Sequence, residues 1–205
     1  MPEELLRRFL EGVRTTHPAE WIAVVTGVIY VLLIMAQRRL GWVFGAISAA
    51  ILMVLAARAR LPMNALLQAS YVVAAVYGWL AWSRGGVVKP ITFWRPRGHL
   101  FAIAACVVVS LGLAKLLAIE GSSAFPFTDS LVACAGLVAT WMLARVYIEN
   151  WLYWVVVDTV SIYMFFSQGL VVASLLYVLF LLIASFGFFN WLRKYRRQAA
   201  ASAAA

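Results

Sequence analysis

The chain has 205 residues, of which 65% are hydrophobic and 12% are charged, and its mean hydropathy is +0.91. These values exclude an ordinary soluble domain and are typical of a polytopic α-helical membrane protein. The net charge of +9 does not indicate nucleic-acid binding, because the basic residues lie in short segments beside apolar runs, as in the loops that flank membrane spans. We therefore expect the lipid bilayer as a partner, and no nucleic acid.

The N-terminal segment at 1–19 places apolar side chains such as Leu6, Leu10 and Val13 on one side of a helix, with basic residues elsewhere around it. This pattern predicts a short helix in the membrane interface. A cleaved signal peptide is the alternative, but no small-residue cleavage site followed by a soluble domain appears. We expect the segment to remain in the mature protein.

A membrane-spanning helix needs about 20 mainly apolar residues. By this measure residues 20–193 form one transmembrane domain, followed by a cytoplasmic tail at 194–205, whose final residues, 198–205, have no packing pattern and are predicted to be loose. The predicted spans are seven: 20–37, 40–57, 64–82, 99–118, 128–145, 148–167 and 170–192.

The loops predict the orientation of the chain. Six Lys and Arg residues fall on the side of the N-terminus and eleven on the other side. Cytoplasmic loops carry the excess of positive charge. We expect a bacterial inner-membrane protein whose N-terminus is outside and whose C-terminus is cytoplasmic.

A weak internal repeat is present. Sliding the sequence along itself by 112 brings Trp42 onto Trp154, and YGWL at 77–80 onto FNWL at 189–192. Repeats of this kind are common in transporters. The pattern predicts two parallel three-helix units, at 20–83 and 127–193, joined by a crossover helix at 99–118.

The sixth span has a polar and aromatic face. At about 100° per residue, one third of its circumference carries Tyr147, Asn150, Trp151, Trp154, Asp158 and Ser161. Asp158 lies near the middle of the bilayer, where an ionisable side chain is costly and usually functional. This face is predicted to line a path for a solute.

Other spans contribute similar residues. Gln68 and Tyr71 lie on one stripe of span three, Tyr30 lies on a polar stripe of span one, and Trp42 begins span two. Trp79 and Trp82 are interpreted as interfacial aromatics. Tryptophan faces attract organic cations, amides recognise carboxamides and hydroxyls, and a carboxylate offsets positive charge. The set favours a flat, cationic or hydroxylated ring compound, and no cofactor or metal ligand set is found.

Three segments carry a family resemblance. The run ENWLYWVVVD at 149–158 resembles the PnuC family of nicotinamide riboside transporters, as do LGWVFGAIS at 40–48 and ALLQASYVVAAVYGWLAW at 65–82. The resemblance covers nearly all of residues 20–193. It implies an all-α fold of seven transmembrane helices, arranged as two parallel three-helix bundles joined by a crossover helix (3+1+3), similar to the SWEET sugar transporters.

The resemblance also implies function. It implies uptake of nicotinamide riboside by facilitated diffusion, with trapping through phosphorylation by a cytoplasmic riboside kinase. The binding aromatics and amides of the family carry over onto Asn150, Trp151, Trp154, Gln68 and Tyr71. Where the family often has an amide before the tryptophan preceding the sixth span, this chain has Thr140.

Alternatives stay open at this point. Thiamine is also a flat-ring cation, and relatives in the same superfamily carry it. A membrane-embedded enzyme would have to use Asp158 and Ser161 for catalysis, and no histidine or metal-ligand set accompanies them. A scaffold protein would have no solute-sized cavity between the bundles. The sequence also leaves open ion coupling and the formation of a homo-oligomer.

Overall fold

The computed structural model describes residues 2–83, 89–121 and 123–203. Within these ranges the chain forms eight α-helices and no β-strand: α1 (Pro2–Thr15), α2 (Pro18–Met35), α3 (Leu40–Arg58), α4 (Pro62–Ser83), α5 (Pro96–Glu120), α6 (Pro126–Ala144), α7 (Asn150–Ser167) and α8 (Val171–Ala203). The predicted all-α class is confirmed. Residues 84–88, where the polar loop after span three begins, lie outside the described ranges.

Six helices, α2 to α6 and α8, are long and apolar enough to cross a membrane. Each corresponds to one predicted span, and most of the helix ends lie within a few residues of the predicted ends. Helix α7 matches the remaining span and has 18 residues, but Asn150, Asp158 and Ser161 make it less apolar than the other six. Its outer side is nevertheless apolar, since Val156 is 62% exposed.

Proline and left-handed residues mark the helix ends. Helices α2, α4, α5 and α6 each begin at a proline, whose fixed φ suits the first helical position. Helix α2 is followed by Gln37 at φ 58°, and α6 by Val146 at φ 63°. Both ends close in the same way: Gln37 N–H bonds to Ile34 O, and Val146 N–H bonds to Leu143 O. These are the left-handed C-terminal turns that stop a helix.

These turns recur at a fixed offset along the sequence. The numbers of Gln37 and Val146 differ by 109, and so do those of Arg60 and Gly169, whose φ angles are 57° and 75°. We call this difference the repeat offset. The predicted shift of 112 is therefore wrong by three. Three residues are almost one helical turn, so the apolar pattern stays nearly in phase and the sequence does not reveal the error.

The helices pack in two groups. Helix α3 packs against both α2 and α4, and α7 packs against both α6 and α8. The groups meet at two places, where α4 contacts α6 and where α2 contacts α8. These two contacts are equivalent, because the repeat offset relates α2 to α6 and α4 to α8. Outside them, α5 packs against α6, and α1 packs against α8. A space between the two groups is the place where a cavity can form.

The most buried part of the core lies at one end of the groups, where α2 and α6 finish. It contains Ile34, Trp42, Leu143, Trp151 and Trp191, all at most 2% exposed. A segment at 89–95 crosses this end. Its Ile91 is buried, and its Thr92 exchanges backbone hydrogen bonds with Val146 and Ile148.

The tail predicted at 194–205 is helical over most of its length. Helix α8 continues through Ala203, and its residues Tyr195 and Gln198 contact the rest of the chain. The side chain of Gln198 accepts a hydrogen bond from Ile91 N at 3.2 Å, and Tyr195 packs edge-on against Phe93. The alanines of this segment favour a helix. Its partners lie in a loop that is distant in sequence, so no periodic apolar pattern in the sequence predicts the contact.

Candidate functional site

A cavity of about 310 Å³ lies between the two helix groups. This volume is within the range of ligand-binding pockets. Its walls come from α2, α3 and α4 on one side and from α6, α7 and α8 on the other. The aromatic and polar side chains in the wall are Tyr30, Trp42, Ser48, Gln68, Tyr71, Thr140, Trp151, Trp154, Asp158, Tyr177 and Phe180.

The structure brings most of the predicted site residues together. Seven of the ten predicted side chains line this one cavity, although they come from four helices: Tyr30, Trp42, Gln68, Tyr71, Trp151, Trp154 and Asp158. The helical stripes read from the sequence therefore point to a common space.

The other three predicted residues are not among those that line the cavity. Tyr147 precedes α7 and stacks against Trp94 at 5.9 Å. Asn150 is the first residue of α7, and its amide donates to the backbone carbonyl of Tyr147 at 2.6 Å. Ser161 is buried on α7, 2% exposed. Helical periodicity placed all three on the face of Trp154, but it does not show where the helix begins or how deep the cavity extends.

Trp42 and Trp151 form matching parts of the wall and are related by the repeat offset. The Trp42 ring packs against Gly78 and stands edge-on to Trp82, with centroids 5.6 Å apart and planes at 89°. The Trp151 ring packs against Gly187 and stands edge-on to Trp191, at 5.5 Å and 88°. The same offset relates the two glycines to each other, and the two edge-on tryptophans to each other.

The two halves of the cavity differ at the next positions. Trp154 and Asp158 of α7 correspond, at the repeat offset, to Gly45 and Ala49 of α3, and all four line the cavity. Tyr30 covers Gly45 so closely that a Cβ there would lie 2.9 Å from the tyrosine ring. The scaffold is thus nearly two-fold, while the large aromatic and the carboxylate of α7 stand on one side only.

Two aromatic lining residues escaped the sequence analysis. Tyr177 and Phe180 of α8 line the cavity, and Tyr177 stacks on Phe165 with centroids 5.2 Å apart. At the repeat offset they correspond to Gln68 and Tyr71. The repeat in its correct register would have found them, because each predicted residue in one unit would have indicated its counterpart.

Asp158 supplies a carboxyl group to the cavity wall. Its residue is 2% exposed, and its side chain borders the cavity. The salt bridges among the described residues, Arg7–Glu11 and His99–Glu149, leave it without a cationic partner from the protein. A charge that is removed from water is costly unless it is paired. The arrangement therefore suits a cationic ligand held beside aromatic faces.

The cavity is mainly apolar and aromatic with a few polar side chains, and it lies inside a bundle of apolar, membrane-length helices, an arrangement that suits a membrane transporter. Comparison with known proteins agrees. The family model described as nicotinamide mononucleotide transporter matches residues 17–193. This match extends over well over half of the chain, so the protein belongs to that family and is a multi-pass membrane protein.

Individual relatives carry related names. The nicotinamide riboside transporter PnuC of Escherichia coli K12 is 26% identical over 207 aligned residues, covering 87% of each chain, and the protein of the same name from Shigella flexneri matches equally. The riboflavin/roseoflavin transporter RibM of Streptomyces davaonensis is 29% identical over 63% of this chain and 64% of its own length. The resemblance to the PnuC family is confirmed.

A solved structure shares the fold. The crystal structure of the vitamin B3 transporter PnuC superposes with a TM-score of 0.71 and covers 94% of this chain and 88% of its own, at 24% identity. At this identity the likeness concerns the fold.

Proposed function

We propose that the protein carries nicotinamide riboside across the bacterial inner membrane, and that the cavity between the helix groups is its binding site. The observation that carries the proposal is the one-sided pair Trp154 and Asp158 within this cavity. Nicotinamide riboside is a flat pyridinium cation with a carboxamide and a ribose. An indole face attracts such a cation, and a buried carboxylate offsets its charge.

The remaining wall supplies partners for the polar parts of this ligand. Gln68 offers an amide for the carboxamide or the ribose hydroxyls, and Tyr71 and Tyr177 offer hydroxyl groups. The asymmetry of the cavity suits a solute whose two ends differ. One end of nicotinamide riboside is a charged aromatic ring, and the other is a neutral sugar.

The proposed architecture is seven spans in a 3+1+3, SWEET-like order. Helices α2 to α4 form one bundle, α5 is the crossover, and α6 to α8 form the second bundle. The recurrence of helix-end turns, tryptophans and glycines at one repeat offset supports two units of the same direction. An odd crossover helix is what two parallel units require. In this arrangement α7 is the sixth span, with its polar face towards the cavity.

We place the N-terminus outside and the C-terminus in the cytoplasm, following the excess of Lys and Arg in the loops on the latter side. Transport is then facilitated diffusion. A cytoplasmic riboside kinase would make it effectively one-way, because a phosphorylated product no longer suits a cavity that contains a carboxylate. The proposal also includes a homo-oligomer, in which copies of the chain contact each other through their apolar outer faces.

The similarity to RibM favours a second candidate, riboflavin. Riboflavin has a flat ring for the tryptophans and hydroxyls for the amide, but its ring is neutral and would leave Asp158 unpaired. Thiamine is a flat-ring cation and a third candidate. The carboxylate therefore favours the two cations over riboflavin.

A titration of the purified protein separates these candidates. Thermal unfolding is followed with increasing nicotinamide riboside, thiamine or riboflavin, since a ligand that binds the folded state raises the midpoint by mass action. We expect stabilisation by nicotinamide riboside at the lowest concentration. Stabilisation by riboflavin alone, or by none of the three, would reject the proposal.

A further inference from the structure

Three hydrogen bonds between side chains and helix-end carbonyls join the two helix groups within the described ranges, and they share one end of the molecule. The indole of Trp82 on α4 donates to the carbonyl of Ala144, the last residue of α6, at 3.1 Å. The indole of Trp191 on α8 donates to the carbonyl of Met35, the last residue of α2, also at 3.1 Å. Lys194 Nζ donates to the same Met35 carbonyl at 3.2 Å.

The two indole bonds are counterparts. The repeat offset relates Trp82 to Trp191 and, equally, Met35 to Ala144. Each group therefore donates one indole to the other group and accepts one in return. A contact that both units of a repeat make towards each other belongs to the interface between the units, rather than to the packing inside either one.

The accepting carbonyls are available because of the turns that follow them. The helices α2 and α6 end in left-handed turns at Gln37 and Val146, and within the described residues no backbone N–H outside the helices donates to Met35 O or Ala144 O. Carbonyls in the last turn of a helix need a partner from elsewhere. The indoles supply that partner.

The position of these bonds relative to the cavity indicates their role. The carbonyls of Met35 and Ala144 directly follow Ile34 and Leu143, which are buried and line the cavity. Trp82 and Trp191 each lie seven residues, or about 10 Å along a helix, beyond the buried lining residues Ala75 and Ala184. The bonds thus lie just past the wall that closes this end.

At the other end of the cavity Ala23 is buried, whereas several other lining residues are not fully buried. The lining residues Leu52, Gln68, Leu176 and Tyr177 are only half-buried. We propose that the bonds Trp82–Ala144 and Trp191–Met35 form a paired latch that holds the cavity shut on the side where α2 and α6 end. A solute leaves on that side only after both bonds break. Below, this side is called the latch side.

The latch is symmetric in a way that suits a two-state gate. When the groups separate, two carbonyls and two indoles lose their partners together, and water that enters the opening can replace them. While either bond remains, Ile34 and Leu143 stay near each other. This inference rests on the proposed function only in that the cavity must open to both sides of the membrane.

The latch is tested by accessibility rather than by transport. In a background with Cys106 and Cys134 replaced by alanine, Ala184→Cys places a thiol in the buried wall of the cavity next to the latch side. A membrane-impermeant maleimide is applied to inverted membrane vesicles and to spheroplasts. The labelling rate is measured for the background and for Trp82→Phe, Trp191→Phe and the double variant.

Phenylalanine keeps an aromatic ring but removes the indole N–H. The net worth of one hydrogen bond corresponds to about a fivefold change in an opening equilibrium. We expect labelling from the latch side to rise about fivefold in each single variant and about 25-fold in the double variant. The proposed orientation identifies the latch side with the cytoplasm, so the rise is expected in inverted vesicles.

Trp79→Phe is the matched control. Trp79 lies one turn before Trp82 on the same helix, and its ring pairs with the guanidinium of Arg39 at 5.0 Å instead of joining the groups. Its replacement should leave the labelling rate unchanged. Equal rates in all variants, or an equal rise in Trp79→Phe, would overturn the latch.

Two features keep the outcome decisive. If the double variant does not fold, the single variants still carry the fivefold prediction, since each retains one indole bond as well as the bond from Lys194 to the Met35 carbonyl. Because no ligand is added, failure of the latch is distinguishable from failure of nicotinamide riboside to bind, which the titration reports separately.

Discussion

Gly187→Ala tests how tightly the cavity wall is packed. A Cβ at Gly187 would lie 2.6 Å from Cε3 of Trp151 and 2.7 Å from its Cδ2, whereas ordinary contacts begin near 3.4 Å. The ring would have to move by about 0.8 Å to reach that distance. Trp151 is 1% exposed and stands edge-on against the fully buried Trp191, so it can move only towards the cavity or by displacing α8.

Overpacking of this kind costs about 1–3 kcal/mol. Helix propensity opposes it, since alanine in a helix is favoured over glycine by about 1 kcal/mol. Gly112→Ala on α5 is the matched control, because a Cβ there has no neighbour within 4 Å and only the propensity changes. Relative to this control, Gly187→Ala should be less stable by about 2 kcal/mol, or about 4–8 °C in Tm at this chain length.

The assay is thermal unfolding of both variants in the same detergent, followed by titration with nicotinamide riboside. We also expect weaker ligand stabilisation in Gly187→Ala, because Trp151 lines the cavity. If Gly187→Ala matches Gly112→Ala in Tm, the wall yields freely and the packing argument is refuted.

Three further predictions concern the cavity and the crossing segment. Asp158→Asn should weaken binding of cationic nicotinamide riboside by about tenfold or more, as expected for loss of a partly buried charge pair, while binding of the neutral reduced riboside changes little; an equal loss for both would exclude a charge role. Trp154→Ala should remove ligand-induced stabilisation without changing the Tm of the free protein by more than Trp79→Ala does, and retained binding would remove α7 from the site. Gln198→Ala deletes the acceptor of the Ile91 N–H and removes about 1 kcal/mol of hydrogen bonding, so it should lower Tm by about 2–4 °C. An unchanged Tm would show that the end of α8 does not hold the segment at 89–95 in place.

The sequence by itself determined the class of protein, the helices and most of the candidate site. Apolar runs of membrane length fix where helices form, because a chain in lipid must satisfy its backbone hydrogen bonds internally. A carboxylate such as Asp158 in the middle of such a run is conspicuous for the same reason. The helical period then groups Trp154 with Trp151, and Gln68 with Tyr71, whatever lies opposite them.

Tertiary structure decided how those faces meet. The repeat offset depends on turns at Gln37 and Val146 and on contacts between distant helices, and a slip of one turn leaves the apolar pattern almost unchanged. Trp82 illustrates the limit. By composition it is an interfacial aromatic, yet its indole reaches a carbonyl 62 positions away in the chain. A stripe of residues shows which side of a helix is polar, but only the packed bundle shows which carbonyl or ligand that side faces.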